Sequence, residues 1–479
     1  MRNRPSAPAW WVAAIPFLVL VASLFAVIRC FGASALDGAS QVALLFSAAV
    51  SVAIAMAFYG IAWSRIEDAI SENIRSIGSA TIILLMIGAI SGSWMVSGVV
   101  PTLMFYGLKI LSPKIFLFAV CLICALVSLM TGSSWTTIAT IGVAFIGIGM
   151  ALGFSAGWTA GAIISGAYFG DKISPLSDTT VLASSVTGTP LFTHIRYMMI
   201  TTVPSMTITC IIFLIVSLTH PVSAAVHVEE FSNALQGAFH LSPWLLLVPV
   251  FTGVLIAKRL PALLTLFLSA FAAGIVALIA QPELIADIGG GSGFSGNFRA
   301  LMQVFYGSTS VPTGSESLDE LVQTHGMVGM LNTIFLIFSA ATFGGTLTGS
   351  GMIQSLTSAL TRRISGRFPL VGSTVLTGLF ANMVTGDQYL SILLTTSLYK
   401  DLYREKGYES RLLSRTTEDS ITVTSVLVPW NSCGMTQSTV LKVPTLDFLP
   451  YCFFNILSPL MSLAVAAIGY KIFRRPSEQ

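Results

Sequence analysis

The chain is short of charge. Only 9% of its 479 residues are Asp, Glu, Lys or Arg, against 54% hydrophobic, and the net charge is +3. Soluble globular chains carry about 25% charged residues. A water-facing fold of this length is therefore excluded, and so small a positive excess leaves no footprint for a nucleic acid. Cysteine is also scarce. Cys30, Cys121, Cys124, Cys210, Cys433 and Cys452 all lie in or beside apolar segments. Cys121 and Cys124 form a C-x-x-C, but no second pair or His cluster completes a metal site, so they read as small buried residues. His-Glu-x-x-His, Gly-x-Ser-x-Gly and a nucleotide loop are missing, which argues against an enzyme. The short alternating segments of an outer-membrane barrel are missing too.

What the chain has instead is apolar runs of roughly 20 residues from end to end, the mark of an all-α polytopic membrane protein. Trp10 to Ile28 reads as a first spanning helix: its apolar run is too long for a signal peptide's core, and no clear small-residue cleavage site follows. Ser64 to Arg75 is amphipathic, with Ile66, Ile70, Ile74 and Ile77 on one face, and reads as a solvated connector. Two apolar arms joined by Thr131-Gly-Ser-Ser-Trp135 suggest a re-entrant hairpin, with a pair of full crossings as the alternative. The Gly/Ser-rich stretch from Gln281 to Gln323 reads as either flexible or functional.

The stretch Gly166-Ala-Tyr-Phe-Gly-Asp-Lys-Ile-Ser-Pro-Leu-Ser-Asp-Thr-Thr180 puts Asp171, Lys172 and Asp178 at membrane depth. A charge there costs at least ~2.5 kcal/mol and marks a functional site by default. Gly157 and Gly161, and Ala162, Gly166 and Gly170, stand four apart, a spacing that lets helices approach closely. Ser174-Pro175 reads as an N-cap followed by a first-turn proline, opening a new half-helix with Asp178 in its first turn.

The chain also repeats. Ser64–Gly98 aligns without gaps to Ser317–Gly351, and Thr131-Gly132 maps to Thr385-Gly386. Asp178-Thr-Thr is expected to map to Asp419-Ser-Ile-Thr422 after one shortened connection, with Glu418–Thr422 opening the second broken helix. Basic residues at Arg2/Arg4, Lys258/Arg259, Arg362/Arg363/Arg367 and Lys471/Arg474/Arg475 are placed in the cytoplasm. That makes residues 1–220 and 242–473 two inverted repeats with re-entrant hairpins and broken helices, about 10 crossings in all, and both termini cytoplasmic. Inverted repeats with paired broken helices indicate alternating access around a central site.

The candidate ion or proton sites are Asp178 and Asp419, both taken as Na⁺ candidates, then Asp171 and Asp387. Thr131, Ser133, Thr180, Thr422 and Asn431 are candidate neutral ligands. Hard cations take several oxygen ligands, and burial disfavours the charged form of a carboxylate, so a proton and a cation can compete for it. Asp178 and Asp419 could instead only cap their helices. Glu418 reads as a cap or the partner of a nearby Arg, Lys172 as the counter-ion of Asp171, and His194 as a loop-end residue.

These stretches resemble the NhaC family of sodium/proton antiporters, within the ion transporter superfamily. The resemblance is carried by Gly166–Ala183 (GAYFGDKISPLSDTTVLA), Gly386–Ser391 (GDQYLS), Leu413–Ser425 (LSRTTEDSITVTS), Val428–Gly434 (VPWNSCG) and Thr131–Trp135 (TGSSW). Met435-Thr-Gln-Ser438 and Val181 depart from the family pattern. The resemblance implies a bacterial inner-membrane transporter exchanging Na⁺ or Li⁺ for H⁺, with cation-coupled carriage of a small organic acid or amino acid as the alternative. It implies no cofactor beyond the transported ions. The expected partners are the lipid bilayer and a small cation, with no nucleic acid and with a homodimer left open.

Overall fold

The computed structural model describes residues 8–31, 38–219, 225–258, 260–361, 364 and 366–474. Arg2, Arg4, Arg259, Arg362, Arg363 and Arg475 lie outside the described residues. Among those described, β pairing is limited to two isolated bridges, Thr309–Thr324 and Tyr408–Arg474. Nine helices among the described residues are long and apolar enough to cross a membrane, or up to 11 if two bent pairs each count as one. The expected ten falls between.

The two halves share their element boundaries. The long helix Gly78–Val96 is followed by left-handed Gly98 and then Val99–Ile110. The later helix Leu331–Gly349 is followed by left-handed Gly351 and then Met352–Thr361, each start 253 residues on. Both long helices carry a glycine at the same place. A methyl at Gly92 would lie 2.1 Å from the Val304 carbonyl oxygen, and one at Gly345 would lie 2.6 Å from the Ile70 Cα. Each half thus takes backbone from the other against a bare glycine, and the halves interlock.

Three expectations change. The amphipathic segment is not a solvated connector. It forms the helix Trp63–Ser76, whose Ile66 and Ile70 press on Gly349 and Gly345, while buried Asn73 donates to the Ala341 carbonyl at 3.2 Å. An apolar face of isoleucines finds a helix rather than water. The Gly/Ser-rich stretch is no slack linker either: it holds the helices Pro282–Gly289, Phe294–Tyr306 and Glu316–Val322. A methyl at Gly289 would lie 2.1 Å from the Gly296 carbonyl oxygen, so these glycines serve a tight crossing. His194 sits inside the helix Leu191–Thr219, fully buried, with its Nδ1 2.8 Å from the Ser414 hydroxyl.

The helix Ala156–Ile173 is buried along most of its length. Its small residues work in pairs. Gly157 and Gly161 admit the backbone of Asp447 and Tyr451, and Gly166 and Gly170 admit the hairpin arm Phe116–Thr131 at Cys121 and Ala125. A methyl at Gly166 would lie 2.1 Å from the Cys121 carbonyl oxygen. Gly166→Val is therefore expected to destabilise the protein by about 1–3 kcal/mol. Gly253→Ala, in open space, should change it by less than about 0.5 kcal/mol. Unfolding of the purified variants in detergent checks the pair; equal effects would contradict the packing.

Candidate functional site

Two hairpin tips and two helix breaks build the site. The first tip joins Phe116–Thr131 to Ser134–Ala151 through left-handed Gly132. The Thr131 hydroxyl donates to the Ser133 carbonyl at 3.1 Å, and the Ser133 N–H points back to that hydroxyl at 3.2 Å. Ser133 then caps the second arm, accepting from the Thr136 N–H at 3.2 Å. The second tip joins Arg367–Thr385 to Gln388–Glu405 through left-handed Gly386. There Thr385 donates to the Asp387 carbonyl at 2.9 Å and Asp387 N–H returns to Thr385 at 3.1 Å. Asp387 caps the following arm, its Oδ1 accepting from Leu390 N–H at 2.9 Å. Thr131, Gly132 and Ser133 stand 254 residues before Thr385, Gly386 and Asp387.

The breaks keep the same spacing. In the first half, Ala156–Ile173 gives way at 174–177 to Asp178–Thr187, which ends at left-handed Gly188. In the second, a helix starts at Ser410, passes into a π-helical turn Glu418–Thr422 and breaks at 428–431. Ser432–Leu441 follows and ends at left-handed Lys442. Pro175 and Pro429, Ser177 and Asn431, and Gly188 and Lys442 are each 254 apart. Two expectations are corrected here. The new half-helix is capped by Ser177, not Ser174, and Pro175 sits in the break, where its missing N–H costs no helix bond. Asp178 has Ser432 as its counterpart, not Asp419, because the connection is not shortened and Glu418–Thr422 closes a helix rather than opening one.

A cavity of about 580 Å³ lies where the first tip and break meet the second tip. Thr131, Ser133, Asp171 and Asp178 line it, and Gln388 and Tyr389 reach it from the other half. Among the described residues its lining contains no Lys, Arg or His. Asp171 is buried and accepts from both the N–H and the hydroxyl of Ser134, at 3.1 and 2.7 Å. Asp178 is exposed to the cavity. Asp387 is buried just behind Gln388, its Oδ2 3.4 Å from the Ser432 hydroxyl.

The other expected residues lie elsewhere. Asp419 is fully buried, and its Oδ1 accepts from Lys172, from Thr201 at 2.9 Å and from Ser458 at 3.4 Å. Arg415 approaches its Oδ2 at 3.7 Å. Lys172 is thus the counter-ion of Asp419 and not of Asp171. Thr180 donates to the Lys172 carbonyl at 3.0 Å, and Asn431 spans the Cys433 N–H and the Asn382 carbonyl. Thr422 is buried outside the cavity. Sequence reasoning passed over Ser134, Ser177, Gln388 and Tyr389. All four stand inside the quoted motifs; for Ser177, Gln388 and Tyr389 proximity to a carboxylate in sequence was the available signal, and for Ser134 it was membership of the Thr131–Trp135 tip.

A buried pair that loses one partner strands the other, at about 3–5 kcal/mol. Asp419→Asn should therefore destabilise the protein by that order, and the double variant Lys172→Met/Asp419→Asn should recover much of it. Thermal unfolding of the single and double variants reads the coupling; additive losses would dissolve the pair.

Residues 166–470 match the model of the Na⁺/H⁺ antiporter family. The chain is 37% identical over 417 residues to the Na⁺/H⁺ antiporter NhaC of Alkalihalophilus pseudofirmus, covering 87% of this chain and 88% of that one. It is 33% identical to the NhaC of Bacillus subtilis, covering 88% and 91%. A malate-2H⁺/Na⁺-lactate antiporter of Bacillus subtilis is 34% identical, covering 91% and 89%.

Proposed function

The chain belongs to the Na⁺/H⁺ antiporter family, and we propose that it exchanges Na⁺ (or Li⁺) for H⁺ across the bacterial inner membrane by alternating access. The cavity wall carries this reading: two carboxylates and the oxygens of a hairpin tip, with no basic side chain among the described residues. Hard cations take several oxygens, and Asp171, Asp178, Thr131 and Ser133 offer them. A carboxylate held away from water is costly to leave charged and alone. A cation taken up there on one side of a membrane and released on the other, with a proton carried the opposite way by a buried carboxylate, is exchange.

We give Asp387 the part of shaping the second tip beside the cavity, and Asp419 that of holding Lys172. The two repeats, 1–220 and 242–473, are read as inverted, with both termini cytoplasmic; the constant spacing of tips and breaks supports the repeat. The bilayer and a small cation are the partners, and a homodimer stays open. The second reading is coupled carriage of a small organic acid or amino acid. The cavity's size favours it, since about 580 Å³ exceeds what a bare ion fills. Its chemistry does not, because Lys172 is taken by Asp419 and Ser458.

In everted vesicles, added Na⁺ should dissipate an imposed pH gradient. Asp178→Asn should lower that exchange at least roughly tenfold while unfolding at the wild-type temperature, since Asp178 supports no buried pair. Wild-type vesicles that ignore Na⁺ and Li⁺ but take up a labelled carboxylate or amino acid would replace this reading by the second.

A further inference from the structure

We infer that Glu418 is the proton-binding group of the exchange, at a seat apart from the cation cavity. This rests on the antiport reading above. Glu418 opens the π-helical turn Glu418–Thr422 and has no exposed surface. Neither of its carboxylate oxygens makes a well-formed hydrogen bond among the described residues, and the Thr422 hydroxyl on the same turn is the donor beside it. Of the nearby basic groups, Lys172 binds Asp419 and Ser458, while the Arg415 guanidinium lies 4.6 Å from the Tyr197 ring and 3.7 Å from Asp419 and makes no hydrogen bond to Glu418 or to any other group among the described residues. A bare carboxylate in such a place costs several kcal/mol, whereas a carboxylic acid does not carry that charge. Glu418 is outside the cavity lining, so a cation in the cavity does not reach it.

Its neighbours give the coupling its sign. The charges that Glu418 feels come from Lys172 and Asp171 on the helix Ala156–Ile173 and from Asp419 on its own turn. Arg415 lies one turn back on its own helix, and His194 and Tyr197 approach that helix from Leu191–Thr219. Tyr399 and Tyr403 face it from Gln388–Glu405, their hydroxyls on Thr377 and Thr374. The half-helix Asp178–Thr187 has only Asp178, at the cavity, and Arg367 on Arg367–Thr385 is tied to the Ala466 and Ala467 carbonyls. Phe453–Ile468 has no titratable side chain. When Na⁺ neutralises Asp171, the negative field at Glu418 falls while Lys172 stays, so Glu418 can ionise and its proton leaves. When a proton returns to Glu418, Lys172 again faces Asp419 alone. One cation bound and one proton released balance without a further reactant.

The test adds Na⁺ to purified protein in weakly buffered detergent and reads proton release with a pH dye, alongside exchange in vesicles. Wild type should release protons on Na⁺ addition. Glu418→Gln should release at least roughly tenfold fewer and lose exchange by the same factor, while Na⁺ still raises its unfolding temperature. Glu418→Asp should restore exchange with a displaced pH profile, which a merely structural role would not produce. Glu418→Gln exchanging at the wild-type rate and pH profile would overturn the assignment. Should that variant not fold, an unmoved pH profile in Glu418→Asp would overturn it equally. Wild type without Na⁺-driven exchange would instead sink the antiport reading, and this assignment with it.

Discussion

A helix broken inside a bilayer frees backbone groups that no water or lipid will satisfy. This chain breaks two helices there, and each break is closed by the hairpin tip of its own half. In the second half the Ser432 N–H donates to the Gly386 carbonyl at 2.7 Å, and Asn431 donates to the Asn382 carbonyl at 3.1 Å. In the first, the Ser174 hydroxyl donates to the Leu129 carbonyl at 2.8 Å, and the Ser134 N–H donates to Asp171. Tip and break therefore come as a unit. The hydrogen bonds that make an interrupted helix affordable are the same ones that fix carboxylates and hydroxyls beside each other. The glycines at 132 and 386 adopt the left-handed turn that lets each tip reach its break.

Charge is divided by the pitch of one helix. Asp171 and Lys172 are neighbours in sequence, but side chains one residue apart on a helix point about 100° apart. Asp171 turns to the cavity and the first tip, and Lys172 turns to Asp419 across the interface with the second half. A cavity with carboxylates and, among the described residues, no basic group is thus made from one of two adjacent residues, and a buried ion pair from the other. Had the lysine faced the cavity, its ammonium would have neutralised the acidic wall. Its burial against Asp419 and Ser458 keeps the cavity wall acidic and ties the two halves together.

Much of this was legible in the residues. Low charge and recurring apolar runs gave a polytopic helical protein, and Thr131-Gly132 against Thr385-Gly386 located both tips. Asp171, Asp178, Thr131 and Ser133 do share one cavity. Asp419 was harder, because Glu418-Asp419 looks like an acidic first turn whereas the chain runs through it as the last, π-helical turn of a buried helix. Matching acidic residues to each other pulled the alignment off its register. Matching Pro175 to Pro429 would have kept it, since a proline in a break is dictated by backbone geometry and a carboxylate is not. The partner of Lys172 lay 247 residues away, beyond any local spacing rule. The Gly/Ser run near 290 stayed undecided for a related reason: composition alone does not separate glycines that loosen a chain from glycines that let two helices touch.

The scaffold repeats, but its chemistry does not. Ser133 and Asp178 in the first half correspond to Asp387 and Ser432 in the second, so the carboxylate has moved from the broken helix to the tip while the hydroxyl moved the other way. Asp171, bonded to Ser134, corresponds to Ser425, which donates to Gln388 at 3.4 Å. Two identical halves would have given two equal seats and twice the buried negative charge, with nothing to choose between them. Swapping the groups leaves the first half with both cavity-lining carboxylates and the second with neutral Gln388 and Tyr389 opposite them. On the proposed exchange, a cation would have one acidic wall to bind and one neutral wall to leave by, and the broken symmetry of the side chains, not the repeated frame, would make the cargo bind once.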